Sequence, residues 1–200
     1  MIDALHPYPT QWIDRWQLKN GKAVTVRPVL PQDLALEHDF VASGLTAQSR
    51  YRRFQIGLRE LPPAVAQYFT HIDYHDHFAL IAESFEDLGH VQVGDARFVR
   101  DGLAAERAEF GIAVADAWQG LGLCARLLQT IIAAARANGI THLYGDVLRD
   151  NLPMLALVKA SGFATRGHPD DARLVRVQQT LGQPGPLVLP RTRQPEAVYA

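Results

Sequence analysis

The chain has 200 residues, 48% of them hydrophobic, and a formal net charge of −1. A chain of this length buries about 70% of its unfolded surface when it folds, which suits one domain with a single core. The near-zero charge excludes a global positive field of the kind that holds nucleic acid or an anionic membrane.

The compartment is indicated by cysteine usage and by the N-terminal residues. The single cysteine, Cys124, excludes an internal disulfide framework and suits a reducing environment. Asp3, Pro7 and Asp14 interrupt the region where a signal peptide needs an unbroken apolar core. No stretch reaches the roughly eighteen consecutive apolar residues of a membrane-spanning helix. These features predict a soluble, cytoplasmic protein.

The N-terminal part of the chain is predicted to contain an arm, a strand and three helices. Residues 1–21 are interpreted as the arm, in which Trp12 and Trp16, spaced i, i+4, suit a short helix docked on the body. The alternation KAVTVR at 22–27 predicts the first strand. Apolar spacing and proline positions predict helices at 31–40, 47–54 and 63–69.

The sequence of the rest of the chain predicts three consecutive strands, a long helix, and then a strand, a helix and two more strands. Strands at 78–83, 89–99 and 107–115 have short joints that suit an antiparallel meander. Leu123, Leu127 and Ile131 share one face of a helix that Asn138-Gly139 ends. A strand, a helix and two strands then follow at 141–148, 152–161, 163–167 and 173–180. Proline-rich residues 183–200 are predicted to be a tail, which leaves 22–182 as the folded domain.

The segment WQGLGLCARLL at 118–128 places two glycines at the start of an apolar helix. A helix N-terminus has unpaired N–H groups and the positive end of the macrodipole, and both stabilise phosphate. Glycine lets ligand oxygens reach the backbone. In the preceding strand, Phe110, Ile112 and Val114 form a bulky face, whereas the opposite face is almost bare. The bare face leaves space for an elongated ligand whose anionic end lies at the helix.

Three kinds of phosphate-binding loop are candidates for this segment. A Walker A loop needs Lys and then Ser or Thr after its last glycine, and neither is present. Gly120, Gly122 and Ala125 match the dinucleotide fingerprint GxGxxG/A, with Asp146 as a candidate ribose ligand. That fingerprint should follow the first strand of a parallel βα series, whereas a meander is predicted before it here.

The third kind of loop includes the glutamine. QGLGLC at 119–124 resembles the QxxGxG/A pyrophosphate loop of the GCN5-related N-acetyltransferases (GNAT family). Its neighbourhood is also similar: an acid-bearing strand, a long helix, a strand, and a helix that begins at Asn151 and ends in Gly162-Phe163. The resemblance covers about residues 22–182. It implies an α+β GNAT fold, a mixed and mainly antiparallel sheet with helices on both faces, and acetyl-CoA as the acyl donor.

The resemblance also implies roles for individual residues. The implied cofactor-binding residues are Ile112, Ala113, Val114, Gln119, Gly120, Leu121, Gly122, Leu123, Cys124, Ala125 and Asn151. Glu109 lies where protein acetyltransferases of the family place a catalytic glutamate, and Glu106 is a second candidate. A base is needed because a lysine amine, with a pKa of about 10.4, is protonated at neutral pH. Backbone N–H groups near Val114 are the candidate oxyanion hole.

Three positions depart from the family pattern. Cys124 replaces a glycine or alanine, and Leu121 occupies a position that is often basic. Arg126 either supplies the missing phosphate partner or is an exposed helix residue. Val158 stands where the family frequently has a tyrosine that protonates the departing thiolate. Water, Tyr144 or unassisted departure are the alternatives.

The function implied is acetyl transfer to a primary amine. The segments VTVRPVLPQDL, SRYRRF and NLPMLALVKASGF look like the acetyltransferase domains of protein lysine acetyltransferases, so the implied acceptor is a protein lysine. A small-molecule amine is an alternative acceptor. A non-catalytic acyl-CoA sensor is the alternative if Val158 signals a decayed site. No nucleic acid or membrane partner is predicted.

Two other polar clusters in the sequence are candidate sites. The first contains His71, Asp73, His75, Asp76 and His77, and its spacing does not fit the THxHxDH motif of metallo-hydrolases. We therefore predict no metal site and interpret the segment as a polar approach to a strand that could line the acceptor cleft. The second contains Arg50, Arg52 and Arg53, and the resemblance implies a structural segment beside the acceptor site.

Overall fold

The computed structural model describes residues 7–85 and 89–182, and its strands form one sheet. The strands are β1 (Asp14–Gln17), β2 (Ala23–Pro28), β3 (His77–Ser84), β4 (Val91–Asp101), β5 (Ala104–Val114), β6 (His142–Leu148), β7 (Ala164–Gly167) and β8 (Leu174–Thr180). They lie in the order β1-β2-β3-β4-β5-β6-β8-β7. Within the described ranges, β5 and β6 are the only parallel neighbours. The prediction of a mixed and mainly antiparallel sheet is confirmed.

Helices cover both faces of this sheet, as the sequence predicts. They are α1 (Leu34–Asp39), α2 (Ala47–Phe54), α3 (Pro63–Thr70), α4 (Leu123–Ala137) and α5 (Leu152–Ala160). On β4, Gly94 faces α4, because a Cβ added there would lie 3.0 Å from a methyl carbon of Leu127. Arg97 lies on the opposite face of β4 and donates to Glu37 of α1 over 2.8 Å.

The apolar stripe of α4 anchors that helix on the sheet. Leu123, Leu127, Leu128 and Ile131 are each at most 1% exposed. Truncation of one such leucine to alanine costs about 2 to 5 kcal/mol in a packed core. The burial fixes the N-terminus of α4 at the end of β5, which is where the glycine-containing segment lies.

The short helix that the spacing of Trp12 and Trp16 would suit does not form. Thr10–Trp12 is a single 3-10 turn, and Trp16 lies in β1, which pairs with β2. Both indoles are buried, and Trp12 packs edge-on against Phe78 at 5.9 Å. Two buried tryptophans four residues apart suit a helix face, but here a turn followed by an alternating strand buries the same two side chains.

The helix predicted at 31–40 consists of three pieces instead of one. A 3-10 turn at Pro31–Asp33 precedes α1, and a π-helical turn at Phe40–Gly44 follows it. The Asp33 carboxylate accepts the Leu30 N–H over 2.7 Å and a guanidinium N–H of Arg27 over 2.8 Å. These bonds hold the first turn in its tighter geometry. The other predicted elements are present with ends shifted by up to three residues.

Some of the predicted organisation remains a prediction. The proline-rich tail at 183–200 lies outside the described residues. The division into arm, domain and tail is therefore still a proposal, although β1 of the predicted arm belongs to the sheet. In the part of the chain that the structure describes, no helix combines the length and apolarity needed to cross a membrane.

Candidate active site

A cleft of about 400 Å³ opens between β5 and β6. These strands pair only where Arg107–Glu109 meets His142–Tyr144. Beyond that point the Phe110 ring packs on Gly145 of β6, where an added Cβ would lie 3.0 Å from the ring. The opening between the strands therefore follows β5 from Glu109 to Val114. At about 3.3 Å per residue, this edge is about 17 Å long.

Most of the residues that the sequence predicts for the site line this cleft. They are Glu109, Ile112, Ala113, Val114, Gln119, Gly120, Gly122, Cys124, Ala125 and Asn151. The remaining two do not line it with their side chains. Leu123 is buried in the core below α4, and Leu121 packs against the same core.

The glycine loop presents its backbone to the cleft. Gly120 and Gly122 have φ angles of +74° and +89°, in the left-handed region that favours glycine. Gly122 is the N-cap of α4, and no side chain caps this helix. The first hydrogen bond within α4 runs from the Arg126 N–H to the Gly122 carbonyl over 3.2 Å. The backbone N–H groups that precede Arg126 in the first turn therefore have no carbonyl of the helix to bond. This is the geometry of an anion site at a helix N-terminus.

Polar side chains fasten the loop to its surroundings. The Gln119 amide donates to the Val114 carbonyl over 3.1 Å and contacts the Ser49 hydroxyl at 3.4 Å. The Asp116 carboxylate accepts from the Ser49 hydroxyl and the Thr46 N–H, both over 2.8 Å. Sequence reasoning missed Asp116, because its partners are 67 and 70 residues away.

Glu109 lies at the opposite end of the cleft from the glycine loop. Its side chain is exposed at the mouth, yet the cleft walls remove part of its hydration. This desolvation, and then the charge of Asp146, raise the pKa of Glu109, while Arg53 opposes the shift. Glu106, the second candidate, does not line the cleft.

Arg53 forms part of the cleft wall beside Glu109. A Cβ added to Gly111 would lie 2.6 Å from the Arg53 guanidinium carbon, so this group lies flat against the bare strand face. Its NH2 group is 3.6 Å from the Asp95 carboxylate. The resemblance implied only a structural segment beside the acceptor site, and the structure adds a charged group that faces the cleft. Arg50 is structural, donating to the carbonyls of Leu58 and Ala42 over 2.9 and 3.1 Å.

The dinucleotide alternative is wrong. The glycine loop follows β5, whose neighbour β4 is antiparallel, so no series of parallel βα units precedes it. Asp146, the candidate ribose ligand, accepts from Arg176 over 2.9 Å and lies 3.4 Å from His168.

The candidates for nucleophile and general acid have distinct surroundings. Burial raises the pKa of the Cys124 thiol to about 12, which disfavours a covalent intermediate there. Val158 is fully buried in the core. The Tyr144 ring lies between two guanidinium groups, 5.1 Å from that of Arg107 and 4.9 Å from that of Arg176. Tyr144 is not among the residues that line the cleft. Asn151 does line it, and its side chain also caps α5 by accepting the Met154 N–H over 3.4 Å.

The histidine-containing segment is a tight turn that leads into β3. The Asp73 carboxylate accepts the N–H groups of His75, Asp76 and His77 over 2.8 to 2.9 Å. His77 is buried, and burial followed by the charge of Arg97 lowers its pKa to about 4. Over residues 7–85 and 89–182, no group of three His, Cys, Asp or Glu side chains is arranged to hold a metal ion.

Comparisons with known proteins agree with this geometry. A family model described as the acetyltransferase (GNAT) family matches residues 47–163. An acetyltransferase of Pseudomonas aeruginosa is 32% identical over 164 residues, which are 81% of this chain and 87% of that protein. Acetyltransferase Pat of Mycolicibacterium smegmatis is 34% identical over 146 residues, which are 73% of this chain but only 43% of Pat. The crystal structure of the GNAT domain of S. lividans PAT is 28% identical, with a TM-score of 0.78, and the match covers 87% of this chain and 99% of that domain.

Proposed function

This chain belongs to the GNAT family of acetyltransferases, with acetyl-CoA as acyl donor, and we propose that it acetylates the side-chain amine of a protein lysine. One observation carries the proposal. A single cleft has an uncapped helix N-terminus with two left-handed glycines at one end and a carboxylate of raised pKa at the other. The first end suits a diphosphate, and the second suits a base for an amine.

In this proposal, acetyl-CoA lies along β5. The diphosphate binds the N–H groups at the start of α4, and the pantetheine runs toward Glu109. In the described register, the pairing of β6 with β5 ends at Glu109, so the β5 edge beyond it has backbone groups without a strand partner on that side. The amides of pantetheine can bond to such an edge as an added strand does. The backbone N–H that polarises the thioester carbonyl would belong to β5 near Glu109, because Val114, the position predicted for the oxyanion hole, lies at the glycine-loop end of this edge.

Glu109 acts as the general base in the proposed reaction. Its raised pKa makes the carboxylate a stronger base than an ordinary glutamate and brings its pKa closer to that of an amine. The lysine nitrogen transfers its proton to Glu109, directly or through water. It then attacks the thioester carbon, so that a C–N bond forms and the C–S bond breaks. As the C–S bond breaks, the nitrogen releases its second proton to water, and the CoA thiolate takes a proton from water, since Val158 offers none.

Support for a protein lysine as acceptor comes from the relatives and from the cleft mouth. The sequence is similar to Acetyltransferase Pat and to the GNAT domain of PAT. Glu109 is exposed at the mouth, where a lysine on a protein surface could reach it. The cytoplasmic location that the sequence suggests remains a prediction.

The test measures CoA thiol release with lysine-containing proteins and peptides and with a panel of small amines. We expect release with protein or peptide lysines, and a loss of at least about a hundredfold in kcat for Glu109→Gln. Glu106→Gln is the matched control on the same strand and should keep wild-type activity. Activity of Glu109→Gln within a fewfold of wild type from pH 6 to 9 would refute the base. Turnover with small amines alone would refute the lysine, and CoA binding without release on any amine would support a sensor.

A further inference from the structure

The turn between β1 and β2 brings Lys19 to the glycine loop. Lys19 lines the cleft together with Gly120 and Gly122. Its Cε lies 3.7 Å from the position that a Cβ on Gly122 would occupy. An amine at the end of this side chain is therefore close to the N-terminus of α4, although the two segments are about a hundred residues apart in the sequence.

The turn that carries Lys19 is held by hydrogen bonds. The Leu18 N–H donates to the Lys22 carbonyl over 2.8 Å, and the Gly21 N–H donates to the Leu18 carbonyl over 3.0 Å. The Asn20 side chain accepts the Lys22 N–H over 3.1 Å. Gly21 has a φ of +83°, which a turn of this shape requires. Leu18 is buried, so the base of the turn is anchored in the core.

Arg126 docks β1 against the first turn of α4. Its guanidinium donates to the Gln17 carbonyl over 3.3 Å and lies 5.6 Å from the centre of the Trp16 ring. The sequence left open whether Arg126 replaces the basic residue missing at Leu121. These contacts instead hold Arg126 against the N-terminal hairpin.

A second cation near the loop is also engaged. The Lys22 amine lies over the Trp118 ring, 5.1 Å from its centre. In the part of the chain that the structure describes, the Lys19 amine makes no hydrogen bond or ion pair with another side chain or carbonyl. Lys19 is thus a cation at the loop that is available to a ligand, and Leu121 beside the glycines is neutral.

We propose that the Lys19 ammonium binds the diphosphate of coenzyme A, so that the N-terminal hairpin completes the donor site. The inference rests on the proposed position of acetyl-CoA along β5. The backbone N–H groups of α4 and the Lys19 charge then approach the diphosphate from two sides. An ammonium in this place supplies the charge that the neutral Leu121 does not.

The test compares Lys19→Met with wild type by calorimetry, with CoA, 3′-dephospho-CoA and pantetheine as ligands and pantetheine measured by displacement. Loss of a charged hydrogen bond should raise the Kd of CoA and of 3′-dephospho-CoA by about tenfold or more. The Kd of pantetheine, which has no diphosphate, should stay the same. Lys19→Arg should keep most of the affinity. Lys159→Met, on an exposed lysine outside the cleft lining, is the matched control and should bind all three ligands as wild type does.

Three outcomes would overturn the proposal. Equal losses for all three ligands would indicate a general structural effect. A loss confined to CoA would place Lys19 on the 3′-phosphate. Unchanged affinities would show that Lys19 contacts no part of the ligand. Because these measurements use no acceptor, they are independent of the lysine proposal, and failure of wild type to bind CoA would instead refute the donor site itself.

Discussion

Replacement of Gly120 by alanine tests the glycine loop, and Gly139→Ala is the control variant in which alanine causes the same backbone strain. Gly120 and Gly139 have φ angles of +74° and +77°, and a Cβ at either position would meet nothing within 4 Å. Alanine in this left-handed region costs about 1 to 2 kcal/mol. For a chain of this size, that cost lowers Tm by about 2 to 8 °C. We expect both variants to lose this amount of stability.

The two variants should differ in binding, because Gly120 lines the cleft and Gly139 follows the C-terminus of α4. A methyl group at 120 would project into the open cleft and keep a phosphate oxygen from the backbone. Loss of one charged hydrogen bond, about 1.5 to 3 kcal/mol, corresponds to a rise in Kd of about tenfold to 150-fold. Calorimetry with CoA measures it. If Gly120→Ala binds CoA as tightly as Gly139→Ala does, the loop backbone does not hold the diphosphate.

Three further predictions concern titratable groups. Arg53→Met should move the acid limb of the pH profile of kcat/KM to higher pH, because Arg53 is a charge that lowers the pKa of Glu109; an unmoved limb would contradict this. Cys124→Ala should keep activity within about threefold of wild type. The wild-type Cys124 thiol should resist iodoacetamide at pH 8, because a thiol with a pKa of about 12 is ionised at that pH in only about one molecule in ten thousand. The free energy of unfolding should fall by up to about 3 kcal/mol as pH decreases from 6.5 to 4, because the unfolded chain protonates His77 in this window and the folded chain does not. Urea unfolding measures this change, and His77→Gln should show a shallower slope.

The sequence predicts the fold well wherever an element has a long regular pattern. Leu123, Leu127 and Ile131 recur at helical spacing, and the structure buries them as predicted. The N-terminal elements are shorter, and their form depends on partners far along the chain. β1 exists because it pairs with β2, and the same spacing of Trp12 and Trp16 would equally suit a helix.

In the candidate site, a local sequence pattern likewise predicts some residues, whereas the fold alone brings others to the cleft. Glu109, Gly120 and Gly122 belong to one strand–loop–helix segment, so a local pattern identified them and the structure brings them to one cleft. Lys19 and Arg53 reach that cleft from elements distant in sequence. No local pattern marks Lys19, and the cluster that contains Arg53 indicates only a structural segment beside the acceptor site. The packing of the N-terminal hairpin and of α2 decides where the two charges lie.

A crystal structure of the protein with bound CoA tests the central claim most directly. The account predicts the diphosphate within hydrogen-bond distance of the N–H groups between Gly120 and Ala125, with the pantetheine along β5 and the sulfur at the Glu109 end. A CoA molecule bound in the opposite direction, or outside the opening between β5 and β6, would contradict it.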